Sequence, residues 1–342
     1  MLRAEVEWLK AAPIHPLQQA LRDLDRAYQN WWSGRSGSPT PRKKRVNDSF
    51  RFPDPVSLRV ERTGRSCGRI KLPKLGWVKL RGWKKLPGTI SNITISRRAG
   101  HWFAAVQCER EIVEPSESTL PAVGIDMGVA IFAALSDGTA IKPANHGKHA
   151  LKALRRAQHA LSRKKRGSAN RIKAIRRVAR IHNRVANARK DFLHKISTTI
   201  AKNHGMVVVE ALQVRNMSAS AKGTTDAPAR RVRQKSGLNR AILDQGWSMF
   251  RTMLGYKLAD RGGRLVEVPA AYTSQTCSVC GLVDSASRRR QDRFVCTGCG
   301  HQENADINAA KNILRRADSA LKPVEGHRSK RPVEAGSTRM AV

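Results

Sequence analysis

The chain has 342 residues, of which 65 are Lys or Arg and 26 are Asp or Glu, so its formal net charge is +39. A chain with this excess of positive charge repels itself, and we expect it to be most stable with a polyanion such as nucleic acid bound. Hydrophobic residues make up 40% of the chain, which is enough for a packed core and excludes a wholly disordered basic protein.

The sequence contains no run of 18 apolar residues, so it predicts no membrane-spanning helix and no membrane partner. Its first residues, Met1 to Lys10, mix acids and bases and lack the apolar stretch of a secretory signal. We therefore expect a cytoplasmic protein, in which the six cysteines are reduced and do not form a disulfide framework.

The first half of the chain reads as a short helical segment followed by a β-rich region. Residues 16–32 have apolar side chains at helical spacing, and this stripe predicts a helix whose apolar face lies in the core. Five short runs in residues 50–113 predict strands of a small antiparallel, barrel-like domain: Val56–Val60, Arg69–Leu72, Trp77–Leu80, Ile90–Ser96 and Trp102–Glu109. The tryptophans Trp77, Trp83 and Trp102 are candidates for stacking on bases, although core packing is the favoured interpretation.

The second half of the chain alternates between strands and helices. Residues 121–135 predict two strands around a turn at Gly128, residues 206–212 a buried strand, residues 238–260 a helix, and Arg264–Val268 a further strand. Residues 151–190 contain 15 Lys and Arg and no acid, and Gly167-Ser168 divides them into a helical hairpin. We interpret its charged side as a nucleic-acid track, with these candidate contacts: Arg155, Arg156, Arg163, Lys164, Lys165, Arg166, Arg176, Arg177 and Arg180.

Four of the cysteines have the spacing of a zinc ribbon. Cys277 and Cys280 form one C-x2-C pair, and Cys296 and Cys299 form a second pair after fifteen intervening residues. Four thiolates complete a tetrahedral shell and leave no place for a reacting water, so the predicted Zn²⁺ is structural. Gly281, Gly298 and Gly300 are expected to supply the backbone freedom of the two turns, and His301 is interpreted as a bystander.

Three acids stand next to apolar segments of the α/β half. Asp126 follows the strand 122–125, Glu210 ends the run 206–209, and Asp306 lies in the first turn of a helix over 304–316. Singly, each has an ordinary explanation: a turn aspartate, a paired strand-end charge and a helix-dipole partner. Together, they follow the element order by which an RNase H-like fold brings three acids to one sheet edge, where two Mg²⁺ ions would offset their charge and promote phosphodiester cleavage.

Several motifs carry a resemblance to a known family. GIDMGVAIFAALSDG (124–138), VVVEALQVRNM (207–217), TSQTCSVCG (273–281) and ENADINAAKNIL (303–314) resemble the RuvC-type motifs and embedded zinc ribbon of the OrfB/TnpB family of bacterial insertion sequences. The resemblance, which covers roughly residues 14–316, implies an RNA-guided, metal-dependent DNA endonuclease of a family also called transposases. It maps the catalytic, Mg²⁺-binding acids onto Asp126, Glu210 and Asp306.

The resemblance also implies partners and a domain plan. The partners would be DNA, a guide RNA from the end of the element and a separate tyrosine-dependent transposase, and the protein would work at the bacterial nucleoid. The predicted domains are a partial helical segment (1–48), a wedge-like oligonucleotide-binding domain (49–116), a RuvC-like nuclease domain (120–272 and 301–320), the zinc ribbon (273–300) and a disordered tail (321–342).

Two alternatives stay open at this point. Family members usually begin with a further strand and helices, whereas this chain starts inside that region, so a DNA- or RNA-binding protein with impaired cleavage is one alternative. The other is an unguided RuvC-like nuclease that acts on branched DNA.

Overall fold

The structure is a computed structural model that describes residues 5–43, 48–221, 223 and 230–321. The described residues divide into two compact units, one ending at Val113 and the other beginning at Glu114. No helix in these ranges is long and apolar enough to cross a membrane. The predicted disordered tail lies outside the described residues, apart from Leu321.

The first unit contains two helices and two antiparallel sheets. The helices are α1 (Glu7–Ala11) and α2 (Ile14–Trp32). The strands are β1 (Ser49–Phe52), β2 (Arg59–Arg62), β3 (Cys67–Leu72), β4 (Gly76–Arg81), β5 (Thr89–Arg98) and β6 (His101–Glu109). One sheet has the order β1-β5-β6 and the other β2-β3-β4. The β-rich region is therefore confirmed, while its closure into a barrel stays a prediction.

Alternation of apolar and polar residues explains these strands. Strand β3 buries Gly68, Ile70 and Leu72 and exposes the residues between them, as expected where one sheet face packs and the other meets water. The prediction of a strand over Val56–Val60 was wrong at its start. The backbone N–H of Val56 donates to the Asp54 carboxylate at 3.1 Å, which holds this segment in a turn and delays the strand to Arg59.

Helix α2 does not bury its apolar stripe as predicted. Leu21 and Leu24 are 68% and 50% exposed, and Gln19 is the helix's buried residue. The opposite, polar face packs on strand β1, where Arg51 donates to the Gln19 side-chain oxygen at 2.6 Å and lies 3.7 Å from Asp23. These polar contacts decide which face of the helix meets the sheet.

The second unit combines a five-stranded sheet with helices and a small ribbon. Its strands are β7 (Ala122–Asp126), β8 (Ala133–Leu135), β9 (Ala140–Ile141), β10 (Met206–Glu210), β11 (Arg264–Val268), β12 (Arg293–Val295) and β13 (Gln302–Asn304). Its helices are α3 (His146–Ser162), α4 (Ala169–Asn203), α5 (Val214–Met217), α6 (Val232–Gln245), α7 (Trp247–Ala259) and α8 (Ala305–Leu321).

Strand β10 is at the centre of the main sheet, which has the order β11-β10-β7-β8-β9. It runs parallel to β7 on one side and to β11 on the other. Val207 and Val209 join the large core, while Val208 packs on the opposite face with Ile313 of α8. Burial on both faces explains why this strand reads as a continuous apolar run.

The predicted helix over residues 238–260 is two helices. Gly246 separates α6 from α7 with a φ of 73°, a left-handed conformation that glycine adopts without steric cost. A side chain at Gly246 would also approach Arg189 and Leu193 of α4 to 3.1 Å. After the break, α7 packs against α4.

The basic helical hairpin forms as predicted. Helix α3 ends at Ser162, Gly167 turns the chain with a φ of 80°, and the Ser168 hydroxyl caps α4 by accepting from Arg171 N–H at 3.2 Å. The Arg171 guanidinium donates to the carbonyls of Leu161 and Lys164, both at 3.2 Å, which holds the two arms together. Phe192 of α4 anchors the hairpin edge-on against buried Phe132, with ring centroids 5.3 Å apart.

Candidate active site and metal centre

Two of the three predicted acids lie at one edge of the main sheet because their strands are parallel neighbours. Asp126 is the last residue of β7, and Glu210 is the last residue of β10. Asp306, in the first turn of α8, lines the same pocket, which has a volume of about 280 Å³. The tertiary structure therefore brings together three side chains that lie far apart in the sequence.

Close packing of α8 on β7 depends on Gly124. A Cβ atom at this position would lie 2.1 Å from the Ala310 carbonyl oxygen and 2.7 Å from the Leu314 nitrogen, both backbone atoms of α8. Glycine in this strand thus permits a close approach that a larger residue would block. The approach fixes where the start of α8, and with it Asp306, lies relative to Asp126.

The pocket is electrostatically unfavourable for ionised acids. Burial, and after it the charges of Glu210 and Asp306, together raise the pKa of Asp126 to about 7, while Arg288 opposes the shift. Burial also raises the pKa of Glu210 and of Asp306 above their ordinary values. The three acids, when ionised, therefore carry more negative charge than the described residues around them neutralise. A bound cation would offset this charge.

Glu210 is held by a neighbour that the sequence analysis did not identify. Its side chain is buried, and the Thr273 hydroxyl donates to its Oε1 at 2.6 Å. The same hydroxyl lies 3.1 Å from the carbonyl oxygen of Ala270. This contact orients one carboxylate oxygen and helps to keep Glu210 ionised, because it lowers the pKa that burial raises.

Asp306 is oriented from two sides. Asn304 caps α8 by accepting from the backbone N–H groups of Asp306 and Ile307, at 3.0 and 3.3 Å. On the pocket side, Arg288 Nη2 lies 3.4 Å from Asp306 Oδ1. Arg288 belongs to the ribbon, so the ribbon contributes a cation to the carboxylate pocket.

Sequence reasoning missed Thr273, Ser274, Arg288 and Gln291, all of which line the pocket. A signal existed for two of them: Thr273 and Ser274 open the motif TSQTCSVCG, directly before the first ribbon cysteine. Arg288 begins a run of three arginines inside the ribbon, which by itself is typical of a solvated loop.

Replacing Thr273 with Val tests its positioning role. We expect Thr273→Val to lower metal affinity or metal-dependent activity by about 10- to 100-fold, as is usual when a hydrogen bond to a metal-binding carboxylate is lost. Thr273→Ser keeps the hydroxyl and is the matched control, which should retain most of the wild-type value. Equal losses in both variants, measured by titration with Mg²⁺, would mean that the threonine methyl group rather than its hydroxyl matters.

The four ribbon cysteines form a metal-binding group. Their Sγ atoms all lie within 4.8 Å of one another, and they form the only such group of His, Cys, Asp or Glu ligand atoms among the described residues. Cys277 and Cys299 are 3.7 Å apart, and Cys280 and Cys296 are 3.5 Å apart, measured between sulfurs. A tetrahedral ion with bonds of 2.3 Å needs sulfurs about 3.8 Å apart, so the geometry fits zinc.

In both cysteine pairs, a backbone N–H contacts the sulfur of the first cysteine. Backbone N–H groups of Val279 and Cys299 donate to the sulfurs of Cys277 and Cys296, both at 3.4 Å. Such donors favour the thiolate, and the contact from Cys299 is the main reason why the pKa of Cys296 falls to about 6. Among the four sulfurs, this contact therefore prepares Cys296 as a thiolate ligand, whereas the pKa of Cys299 is raised because the neighbouring sulfurs outweigh its backbone contact with His301.

The prediction for the three ribbon glycines was right for two and wrong for one. Gly281 and Gly300, each directly after the second cysteine of a pair, have φ values of 79° and 73° and need glycine's freedom. Gly298 does not have a positive φ. A Cβ at Gly298 would approach only the end of the exposed Leu282 side chain, to 2.8 Å, and that side chain can move aside.

Two buried asparagines fasten the ribbon to α8. The Asn308 side chain accepts from Ser278 N–H at 2.9 Å and donates to the Thr276 carbonyl at 2.8 Å. Asn312 donates to the carbonyls of Thr273 and Thr276, at 3.0 and 2.6 Å. Because α8 also carries Asp306, these contacts couple the ribbon to the carboxylate pocket. His301 is outside the cysteine group and contacts Glu303 at 3.4 Å.

The nine predicted nucleic-acid contacts all lie on the basic hairpin and are exposed, and none of them lines the carboxylate pocket. In the described part of the chain, no carboxylate forms an ion pair with any of these nine cations. Their role stays a prediction.

Comparison with known sequences establishes the family. The OrfB_IS605 profile, described as "Probable transposase", matches residues 105–221, and the profile "Cas12f1-like, TNB domain" matches residues 247–313. A relative from Escherichia coli (strain K12), "Putative RNA-guided DNA endonuclease InsQ", is 45% identical over 98% of this chain and 82% of its own. A relative from Streptomyces pristinaespiralis, "Putative RNA-guided DNA endonuclease", is 35% identical over 96% of this chain and 77% of its own.

Comparison with solved structures identifies the fold. The Cas12f1 chain in "Cryo-EM structure of the Cas12f1-sgRNA-target DNA complex" aligns with 87% of this chain and 70% of its own at a TM-score of 0.54 and 16% identity. The main sheet and the cysteine group thus belong to an α/β protein whose fold is similar to that of the Cas12f1 chain. At the level of sequence, the chain belongs to the OrfB/TnpB family.

Proposed function

We propose that this protein is an RNA-guided DNA endonuclease that hydrolyses phosphodiesters with Mg²⁺ at Asp126, Glu210 and Asp306. The observation that carries the proposal is that these three acids, from two neighbouring parallel strands and one helix, line a single pocket. The names of the E. coli and Streptomyces relatives support the guided activity. The strand order β9-β8-β7-β10-β11 supports an RNase H-like, RuvC-type nuclease domain.

The donor set fits Mg²⁺. Carboxylate oxygens are hard ligands that this ion prefers, and the mutual repulsion that helps raise the pKa of Asp126 provides the driving force. Unlike the cysteine sulfurs, the carboxylate oxygens do not all lie within 4.8 Å of one another. The three carboxylates are therefore not gathered around a single point, and they would hold two ions rather than one.

When bound, the ions would activate the attacking water and stabilise the leaving oxygen of the phosphodiester. The residues of the chain then have separate tasks. The three carboxylates hold the ions, Thr273 orients Glu210, and Asn304 orients the segment that carries Asp306. Arg288 is positioned to pair with a phosphate oxygen, because its present contact with Asp306, at 3.4 Å, is long and easily exchanged.

The rest of the predicted plan is assigned by the same reasoning. Residues 49–116 form the oligonucleotide-binding domain, the cysteine group holds a structural Zn²⁺, and the basic hairpin binds nucleic-acid backbone. Along α4, Arg177 and Arg180 lie one and four positions after Arg176, so all three are on one side of the helix and one strand backbone can contact them together.

Salt dependence tests the hairpin. We expect Arg176→Gln/Arg177→Gln/Arg180→Gln to reduce the slope of log affinity for duplex DNA against log salt by about 2–3, because each lost phosphate contact removes about 0.9. The matched control is Lys190→Gln/Lys195→Gln/Lys202→Gln, which removes three exposed cations from the other end of α4. The same slope change in both triple variants would assign the binding to overall charge rather than to this face.

The guided activity is tested by purifying the full chain from cells that carry its own locus and sequencing the RNA that accompanies it. DNA complementary to that RNA, placed beside randomised flanking sequence, should then be cut in the presence of Mg²⁺, and DNA of unrelated sequence should not. Cutting of branched DNA without RNA would favour an unguided nuclease. Tight binding of RNA and DNA without cutting in Mg²⁺ or Mn²⁺ would favour a binding protein.

A further inference from the structure

The sheet β2-β3-β4 presents a second basic surface that neither the hairpin nor the carboxylate pocket includes. Strand register defines it, because residues directly opposite in antiparallel strands share a face. Lys71 lies between Arg59 and Trp77, and Arg69 lies between Glu61 and Lys79. Cys67 pairs with Arg81 at the end of the same face. We call these eight residues the outer sheet face.

Every residue of the outer sheet face is exposed, whereas the opposite face carries buried Ile70 and Leu72. The outer sheet face has five cations, Arg59, Arg69, Lys71, Lys79 and Arg81, and a single carboxylate, Glu61. Glu61 is already engaged, since Arg69 contacts its Oε2 through Nε at 2.8 Å and Nη2 at 2.7 Å. The positive charge of the remaining four cations is therefore open to a ligand.

Trp77 makes this surface more than a charged patch. Its side chain is 41% exposed, and the Arg69 guanidinium lies 4.2 Å from the centre of its ring system. The prediction of core packing for Trp77 is therefore wrong, and Trp102 is exposed as well. Trp83 differs from both, because its ring packs over Gly68. Because Glu61 fixes one side of Arg69 and Trp77 lies against the other, the pair is ordered before any ligand binds.

We propose that the outer sheet face binds a single-stranded nucleic acid, with an unpaired base stacked on the Trp77–Arg69 pair and phosphates contacting Lys71, Lys79 and Arg81. Four uncompensated cations on one flat face select a polyanion by charge. An exposed aromatic ring between cations selects unpaired bases, because bases inside a duplex already stack on each other.

Cys67 supplies a built-in probe of this surface. It is exposed on the outer sheet face, whereas Cys108 is only partly exposed and lies in the other sheet of the same unit. We expect a saturating RNA strand of about 8 nucleotides to slow alkylation of Cys67 by N-ethylmaleimide several-fold and to leave Cys108 unchanged. The modified peptides of the full chain are followed by mass spectrometry, with RNA and DNA strands of one sequence compared.

Variants test the two parts of the recognition. Trp77→Ala should weaken binding of the short strand by about 5- to 150-fold, the value of one stacked base, and Trp77→Phe should recover most of it. Lys71→Gln/Lys79→Gln should reduce the salt slope by about 1.4, two single-strand phosphate contacts. The matched control is Lys84→Gln/Lys85→Gln, two exposed lysines that follow β4 outside the face.

Protection of Cys67 by RNA, by DNA or by both supports the proposal and identifies the strand. Protection by neither, or equal weakening of single-strand and duplex binding by Trp77→Ala, would overturn it. A lysine pair that behaves like its control would do the same. The surface would serve the nucleic-acid-directed function proposed above, but these measurements involve no cleavage, so the two proposals can fail separately.

Discussion

Asp126→Asn should abolish DNA cleavage and at the same time stabilise the metal-free protein. Loss of a carboxylate that holds metal ions should cost at least the roughly 100-fold seen for lost outer-shell partners. The stabilisation follows because burial, Glu210 and Asp306 all disfavour the charged Asp126. An unfolding midpoint about 2–4 °C higher without Mg²⁺ is expected if about 1 kcal/mol is recovered, measured by thermal unfolding beside a cleavage assay.

The opposite signs of the two effects separate a lost metal ligand from simple misfolding. Asp191→Asn is the matched control, because its carboxylate is exposed and pairs with Lys195 four residues along α4, which contributes little to stability. It should change neither the cleavage rate nor the unfolding midpoint appreciably. Wild-type cleavage by Asp126→Asn would rule out the proposed centre.

Cys296→Ser should release zinc and unfold the ribbon. Cys296 is 2% exposed and packs with Cys277, Phe294 and Ala305 in the small ribbon core, which is too small to be stable without a metal. Structural zinc sites contribute an apparent free energy of about 10–16 kcal/mol to the folding of such segments. Zinc content should fall below stoichiometric, and amide hydrogen exchange should rise throughout residues 273–304.

Unfolding of the ribbon should also abolish cleavage at the carboxylate pocket, because the ribbon holds Arg288 and Thr273 in place there. The control is Cys108→Ser, which removes a cysteine of the first unit that is outside the metal-binding group. It should leave zinc content and cleavage unchanged. A zinc-free Cys296→Ser variant that cuts at the wild-type rate would show that the ribbon does not support the site.

Local patterns were enough to predict the cysteine group that could hold a metal ion, and most of the elements. The cysteine spacing is itself the structural requirement, since two residues between ligands make the turn that points both sulfurs at one ion. In the same way, the valine run of β10 indicates a buried strand, and the glycine in the basic hairpin indicates the point where the chain reverses. The three acids were also identified from sequence, but only through element order and family resemblance.

Tertiary structure decided the features that depend on distant partners. It turned the polar side of α2 toward β1, because Arg51 pairs with Gln19 and Asp23, and so left the apolar stripe exposed. It placed Thr273 and Arg288 beside acids that are 63 and 18 residues away along the chain. Hydrophobic periodicity indicates whether a residue is suited to burial, but it does not indicate which polar side chains will contact each other in the folded protein. That pairing is fixed only when the strands and helices pack, and here it sets both the charge and the geometry of the pocket.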